Sequence, residues 1–176
     1  MPLTKLNSAS VIERLPVGSV IQTISVEDST AGDQFLNKND YVQVMSASIT
    51  PQYSNSEIYI SYQVGIGGVT HQPMSSRIKR GSTFIGSNTL TGGTARYGNS
   101  ACEAGSPFSP QDQIAMLHGQ YLDSPSTTSA ITYAIEVSPR NDDGTHNFVF
   151  GEPYNQTTSG FIIKVNNIIT LMEIKR

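Results

Sequence analysis

The sequence predicts an all-β fold, an antiparallel β-sandwich or jelly roll. Three observations predict it. Apolar residues alternate with polar ones over short stretches. The cleanest case is Ile131, Tyr133, Ile135 and Val137 on one face, with Thr132, Ala134, Glu136 and Ser138 on the other, which is a half-buried antiparallel strand. Gly, Pro, Asn, Asp and Ser punctuate these stretches at intervals of roughly 8–15 residues. Charged residues make up only 14% of the chain, against about 25% in ordinary soluble domains. The polar surface therefore falls to Ser, Thr, Asn and Gln, which suit sheet faces and turns better than exposed helices.

The elements follow in order. Residues 1–16 form a separate opening. Ser10 to Glu13 fits a capping box, Val11, Ile12 and Leu15 give a short helix one apolar stripe, and Pro16 ends the pattern. Such a turn is marginal alone. It is either a loose terminus or a docking arm for a partner. Residues 17–176 form the β domain. Residues 20–26 are β-branched and read as a strand, and residues 28–40 as a polar linker around Phe35. Residues 41–49 form a strand closed by Thr50-Pro51. Residues 57–64 alternate with Ile58, Ile60, Tyr62 and Val64 inward. Residues 77–86 read as a hairpin turning near Gly81, and residues 87–112 as a long Gly/Ser/Asn/Pro-rich loop. Residues 114–122 resume strand pattern. Asp123-Ser124-Pro125 bends the chain into the strand that ends at Val137. A short strand at 147–150 follows an Asp143-Gly144 turn, and residues 160–165 and 168–174 give two more strands.

Length and charge bound the function. A chain of 176 residues suits one domain; at this length folding buries about 70% of the surface the unfolded chain exposes. The net charge of −3 and a pI near 5.5 give no drive toward nucleic acid or anionic membrane. One cysteine, Cys102, excludes an intrachain disulfide framework and a multi-cysteine zinc site. There is no apolar run of spanning length and no signal-peptide pattern, so the expectation is a protein made and folded in cytoplasm, with no membrane insertion.

Few residues are spaced for chemistry. His71, His118 and His146 lack metal-ligand spacing. Residues 141–146 bunch oxygens as a calcium loop would, but a hairpin tip explains them better. Residues 98–102 start like a nucleophile elbow, yet Cys102 stands where the closing Gly belongs. Residues 81–87 have P-loop glycine spacing, with Ser87 in place of Lys. Gly65-Ile66-Gly67-Gly68 reads as a flexible loop, for want of a following helix. Arg77, Lys79 and Arg80 form the one basic cluster. Arg77 and Lys79 share a strand face, either solvated or set against another subunit, and Arg80 points the other way. Asn155-Gln156-Thr157 matches a glycosylation sequon without a secretory context. Tyr53, Tyr97, Tyr121 and Tyr154 lie in or near loops, where a ring either stacks on a sugar or packs a loop base. No paired carboxylates, triad or metal cluster emerges. The expectation is a protein that is not an enzyme and takes no cofactor or metal.

Three segments carry a resemblance. Leu15-Pro16-Val17-Gly18-Ser19-Val20-Ile21-Gln22-Thr23-Ile24 is the first. Residues 49–60 followed by 77–86 are the second, and residues 121–137 the third. Together they resemble a module of tail-fibre and other virion structural proteins of tailed bacteriophages, especially marine and cyanobacterial ones. The similarity spans most of residues 15–174. It implies a β-sandwich or jelly-roll module, usually trimeric, displayed outward on a virion. The run from Leu122 to Ala130 then joins two core strands. No binding residue set is general to that family. This chain has only about 16 residues before the module and no coiled-coil or shaft repeat. A short fibre, tip protein or head-decoration protein therefore fits better than a long fibre.

These readings give definite expectations. The protein sits on the virion surface, on tail or head, as a homotrimer. Val11, Ile12 and Leu15 dock it to another virion protein. Arg77, Lys79, Met172 and Ile174 lie between subunits, the last two on an apolar strand with Ile168, Ile169 and Leu171. Tyr97, Asn99, Glu103 and Phe108 of the 87–112 loop contact a host surface glycan. A head-decoration (capsid cement) protein that stabilises the shell is the alternative. A polysaccharide-degrading tail enzyme comes last, because its carboxylate candidates Glu103, Asp112 and Asp123 have no spacing to recommend them.

Overall fold

Alternation becomes architecture when the apolar faces of two sheets close on each other. The computed structural model describes residues 12–28, 32–36, 41–68, 72–86, 99–104, 114–139, 146–153 and 164–176, with the backbone alone at 32–36, 72, 102–104 and 146–147. Eleven strands lie among the described residues: β1 Val20–Asp28, β2 Gly32–Leu36, β3 Val42–Ile49, β4 Glu57–Gly68, β5 Gln72–Arg80, β6 Thr83–Ile85, β7 Ser100–Ala104, β8 Ile114–Asp123, β9 Ile131–Pro139, β10 His146–Phe150 and β11 Asn167–Ile174. One sheet runs β1-β11-β4-β10-β2, with β8 also paired to β4. The other runs β3-β9-β5-β6, with β7 also paired to β5. Every pairing is antiparallel. The fold is an antiparallel β-sandwich.

β4 organises the first sheet. Along one side it pairs with β8 from Ile58 to Gly67. Along the other it pairs with β11 from Glu57 to Gln63, then with β10 from Ile66 to Gly68. Its inward residues Ile58, Ile60, Tyr62, Val64 and Ile66 are at most 3% exposed. They meet Met45, Ala47 and Ile49 of β3, Met74 and Ile78 of β5, and Tyr133, Ile135 and Val137 of β9 in one core. Leu117, Phe148, Phe150, Ile169 and Leu171 complete it.

Five expectations change. Gly65–Gly68, read as a flexible loop, is the end of β4 and pairs with β8 and β10. The stretch read as a linker contains β2, which pairs with β10 through residues 32–36. The long loop contains β7, which pairs with β5 from Ser100 to Ala104; most of the remaining 87–112 segment lies outside the described residues. Residues 164–166 are irregular rather than strand, and 160–163 lie outside the described residues. The outward face of β9 is not half-open. Ala134, Glu136 and Ser138 are buried, because β9 is central in its sheet and long side chains of β5 lie across it. The 81–82 turn stands where expected, with Gly81 at φ 56°, a conformation that costs other residues more. The Asp143-Gly144 turn, residues 141–145 of the calcium reading, His71, Tyr154 and the sequon lie outside the described residues.

The opening segment is tied to its own module. Ile12 is 1% exposed, and Leu15 is half-buried. Leu15 N donates to Ile12 O, closing a single turn. The Lys175 ammonium then donates to the carbonyls of Ile12, Glu13 and Leu15 at 3.0, 2.7 and 2.8 Å. A cation there satisfies acceptors that a turn of helix leaves open and opposes its dipole. Backbone bonds from Gly18 N to Lys175 O and from Lys175 N to Ser19 O continue the seam. Lys175→Met should loosen this turn at a cost of about 1–3 kcal/mol. Limited trypsin digestion should then cut after exposed Arg14 severalfold faster than in the parent protein. An unchanged cleavage rate would show that the turn holds without the lysine.

Candidate functional site

Polar side chains buried between the strands fix the surfaces on either side of them. Asp123, at the end of β8, accepts two bonds from Arg80 Nη1 of β5, each 3.0 Å, and one from Tyr133 Oη of β9 at 2.7 Å. One carboxylate thus ties the two sheets together. On the outer face of the second sheet Glu136 accepts from Arg77 Nε at 2.8 Å and from Lys79 Nζ at 3.0 Å. The Arg77 guanidinium lies between the rings of Tyr41 and Phe84, 3.3 and 3.5 Å from their centroids. At the edge, Asn99 accepts from Ile78 N at 2.8 Å and donates to Gly86 O at 3.0 Å. Arg176 donates to Glu57 and holds that carboxyl below its ordinary range.

Two tyrosines are neutral core members. Burial pushes the Tyr62 phenol above the ordinary 10.0, against the opposing effect of its 2.7 Å bond with Ser76 Oγ. Burial, reinforced by the bond to Asp123, pushes Tyr133 up further. A raised folded pKa means stability that is fully present below the unfolded value and is lost as pH rises through the folded one. The fold should therefore begin to lose stability only above about pH 10. Both phenols should ionise together with unfolding, seen as a cooperative rise in phenolate absorbance coincident with loss of the β circular-dichroism signal. Smooth ionisation of all eight tyrosines in a folded protein would contradict this.

The outer face of the first sheet carries a candidate groove. Registry sets Ser61 of β4 between Gln120 of β8 and Thr170 of β11, and Gln63 between His118 and Ile168. These residues, with Tyr62, Asn99 and Gly119, line a groove of about 420 Å³. No lining residue carries a formal charge with histidine neutral. His118 and Gln120 are exposed, and Ser61, Gln63, Ile168 and Thr170 are half-buried. The side chains of Ser61, His118 and Gln120 have no hydrogen-bond partner among the described residues. Gln63 Nε2 donates to Asn166 O at 3.2 Å, and the Ser25 and Thr170 hydroxyls lie 3.2 Å apart.

Two residues along, the same face turns apolar. Thr23, Met172, Tyr59 and Leu122 form one row, and Val20, Ile174 and Glu57 the next. Leu122 is 46% and Val20 44% exposed. Met172 and Ile174 are half-buried and point outward, while Ile169 and Leu171 belong to the core.

The structure separates the residues that the sequence grouped. Arg77 and Lys79 share a face as expected, but it is an ion-paired one, 19% and 25% exposed at the side chain. Arg80 does point the other way, to Asp123. Asn99 lines the groove while its carboxamide clasps backbone at Ile78 and Gly86. Glu103 lies in β7, described by backbone alone, and Val11, Tyr97, Phe108 and Asp112 lie outside the described residues. Asp123 is held by Arg80 and Tyr133 and so is a structural carboxylate. Sequence reasoning missed the groove, because it exists only where β4, β8 and β11 meet. Among the described residues no group of three His, Cys, Asp or Glu is placed to hold a metal.

No family model matches the chain, and no curated protein matches it. Solved structures similar to it include the infectious bursal disease virus Gt strain, at TM-score 0.43 and 8% identity over 88% of this chain and 42% of that one. The VP2 subviral particle of the same virus gives 0.42 and 7% over 88% and 41%. The Gx strain gives 0.40 and 9% over 88% and 37%. The chain thus spans about two fifths of the length of the structures it matches.

Proposed function

We propose that this chain is a non-enzymatic structural protein displayed on the surface of a phage particle, as a short tail fibre or tip. One observation carries the reading. The three segments that resemble phage virion proteins supply strands to both sheets: β1, the end of β3 with the start of β4, the end of β5 with β6, and the end of β8 with most of β9. The resemblance therefore lies on the framework rather than on one loop. Gold-labelled antibody against the protein should bind purified particles at the tail tip. Labelling spread over the head selects the head-decoration reading. Absence from purified particles overturns both.

The protein assembles as a homotrimer through the apolar rows of the first sheet. Half-buried Met172 and Ile174, beside exposed Val20 and Leu122, support that surface. Arg77 and Lys79, spent on Glu136, are poorer candidates for it. Light scattering should return a trimer, and Met172→Glu should shift the mass to a monomer that keeps its β circular dichroism. A monomeric parent protein at micromolar concentration defeats the assignment. Ile12 is buried against its own module, so of the three docking residues Val11 and Leu15 are left to meet another virion protein.

A further inference from the structure

We infer that the groove on β4, β8 and β11 binds an uncharged glycan through Ser61, Gln63, His118, Gln120 and Thr170. The inference rests on the reading of the chain as an outward-facing surface protein. It moves the glycan contact from the 87–112 loop to a strand face.

The chemistry of the lining selects the ligand class. Besides Asn99 and Tyr62, whose polar groups are bonded within the protein, the groove is lined by two carboxamides, two hydroxyls and an imidazole, which present donors and acceptors with no formal charge. An anionic ligand would find no cation there. A cationic ligand would find no carboxylate. An apolar ligand would strip water from Ser61, His118 and Gln120, which have no partner among the described residues to compensate. A polyhydroxylated neutral ligand fits each group, since adjacent sugar hydroxyls both donate and accept, as a carboxamide does. Half-buried Ile168 adds an apolar patch for the C–H face of a sugar ring.

The spacing is fixed by the sheet. Neighbouring strands lie about 4.8 Å apart, and successive outward residues about 6.7 Å apart. The grid of Ser61, Gln63, Gln120, His118, Thr170 and Ile168 is therefore the size of one or two sugar rings. Tyr59 stands on the same face, two residues from Ser61, and is half-buried. It belongs to the apolar row given to subunit contact, so the sugar site ends at the Ser61 row. Sites built on strands are also more rigid than sites on loops, so less ordering is lost on binding.

The test uses the full chain labelled with nitrogen-15. Maltotriose, chitotriose and mannotriose are titrated in separately, with sialyllactose as the anionic comparison. At least one neutral trisaccharide should shift the side-chain amide signals of Gln63 and Gln120 and the backbone signals of Ser61 and His118. Gln120→Ala should weaken that binding about tenfold, the size of one or two net hydrogen bonds. Gln43→Ala, on the exposed outer face of the other sheet, should leave it unchanged. No response to any neutral sugar, or a response centred on other residues, overturns the proposal. Stronger binding of sialyllactose overturns it as well. Groove signals that shift with protein concentration alone would show a second copy seated there and overturn it. None of these failures touches antibody labelling of the particle, so the surface-display reading stands or falls separately.

Discussion

Gly119→Ala should lower the melting temperature by about 5–15 °C, from a loss of about 2–4 kcal/mol. Gly119 lies on β8 opposite Tyr62 of β4. A Cβ placed there would overlap Oη, Cζ and Cε1 of the Tyr62 ring. The ring cannot swing aside cheaply. It is 3% exposed, and its hydroxyl bonds to Ser76 Oγ of the opposite sheet at 2.7 Å. The added methyl therefore either overpacks the core or breaks a buried hydrogen bond between the sheets. Tyr62→Phe removes one of the overlapped atoms, so the double variant should be less destabilised than the sum of the single ones. Thermal denaturation of the four proteins measures this. A Gly119→Ala protein within about 0.5 kcal/mol of the parent would mean that the sheet shifts to admit the methyl.

Glu173→Ala should be at least as damaging, at about 3–5 kcal/mol. Glu173 is 0% exposed. Its Oε1 accepts from Gln52 N at 2.8 Å and Tyr53 N at 3.2 Å, and its Oε2 accepts from Gln22 Nε2 at 2.6 Å. The carboxylate thus ties β11 to the β3–β4 turn and to β1. Alanine leaves three donors without this acceptor, where water has poor access. Glu173→Gln should cost less, about 1–2 kcal/mol, because one oxygen remains for the backbone amides. Its new NH₂ faces Gln22 Nε2, which already donates to Thr50 O at 2.7 Å. Urea denaturation with a shared slope gives both values. Equal costs for Ala and Gln would show that charge, not the bonding pattern, is what the site requires.

The strands that build the core were legible because their inward faces are apolar and their period is two. β4, β8 and β9 all announce themselves this way. β2 and β7 did not. Asp33, Gln34 and Glu103 give them the composition of loops, and each pairs with a single neighbour at a sheet edge. The role of Gly119 had a signal, a lone glycine inside a strand pattern, which marks close approach of another group. Glu173 had one too. It shares parity with Ile169 and Leu171, so a carboxylate was bound to face the core. The bonding of Arg77 to Glu136 had none. Parity places each side chain on a face, but it does not say that β5 lies beside β9. The groove was illegible for the same reason, since its lining comes from β4, β8 and β11.

The place of β11 in its sheet bears on how the protein is made. It lies between β1 and β4, although residues 167–174 are synthesised long after both. Until those residues leave the ribosome, β1 lacks its partner among the described strands, and one side of β4 is open along residues 57–63. A nascent or shortened chain therefore presents an empty slot the width of one strand. The strand that fits it is the Asn167–Ile174 segment of any copy nearby. On a polysome, where copies are crowded, the slot is open to exchange between neighbouring chains. Tethering two copies in one polypeptide would raise the yield of such swapped pairs, and a faster-closing β11 would suppress them.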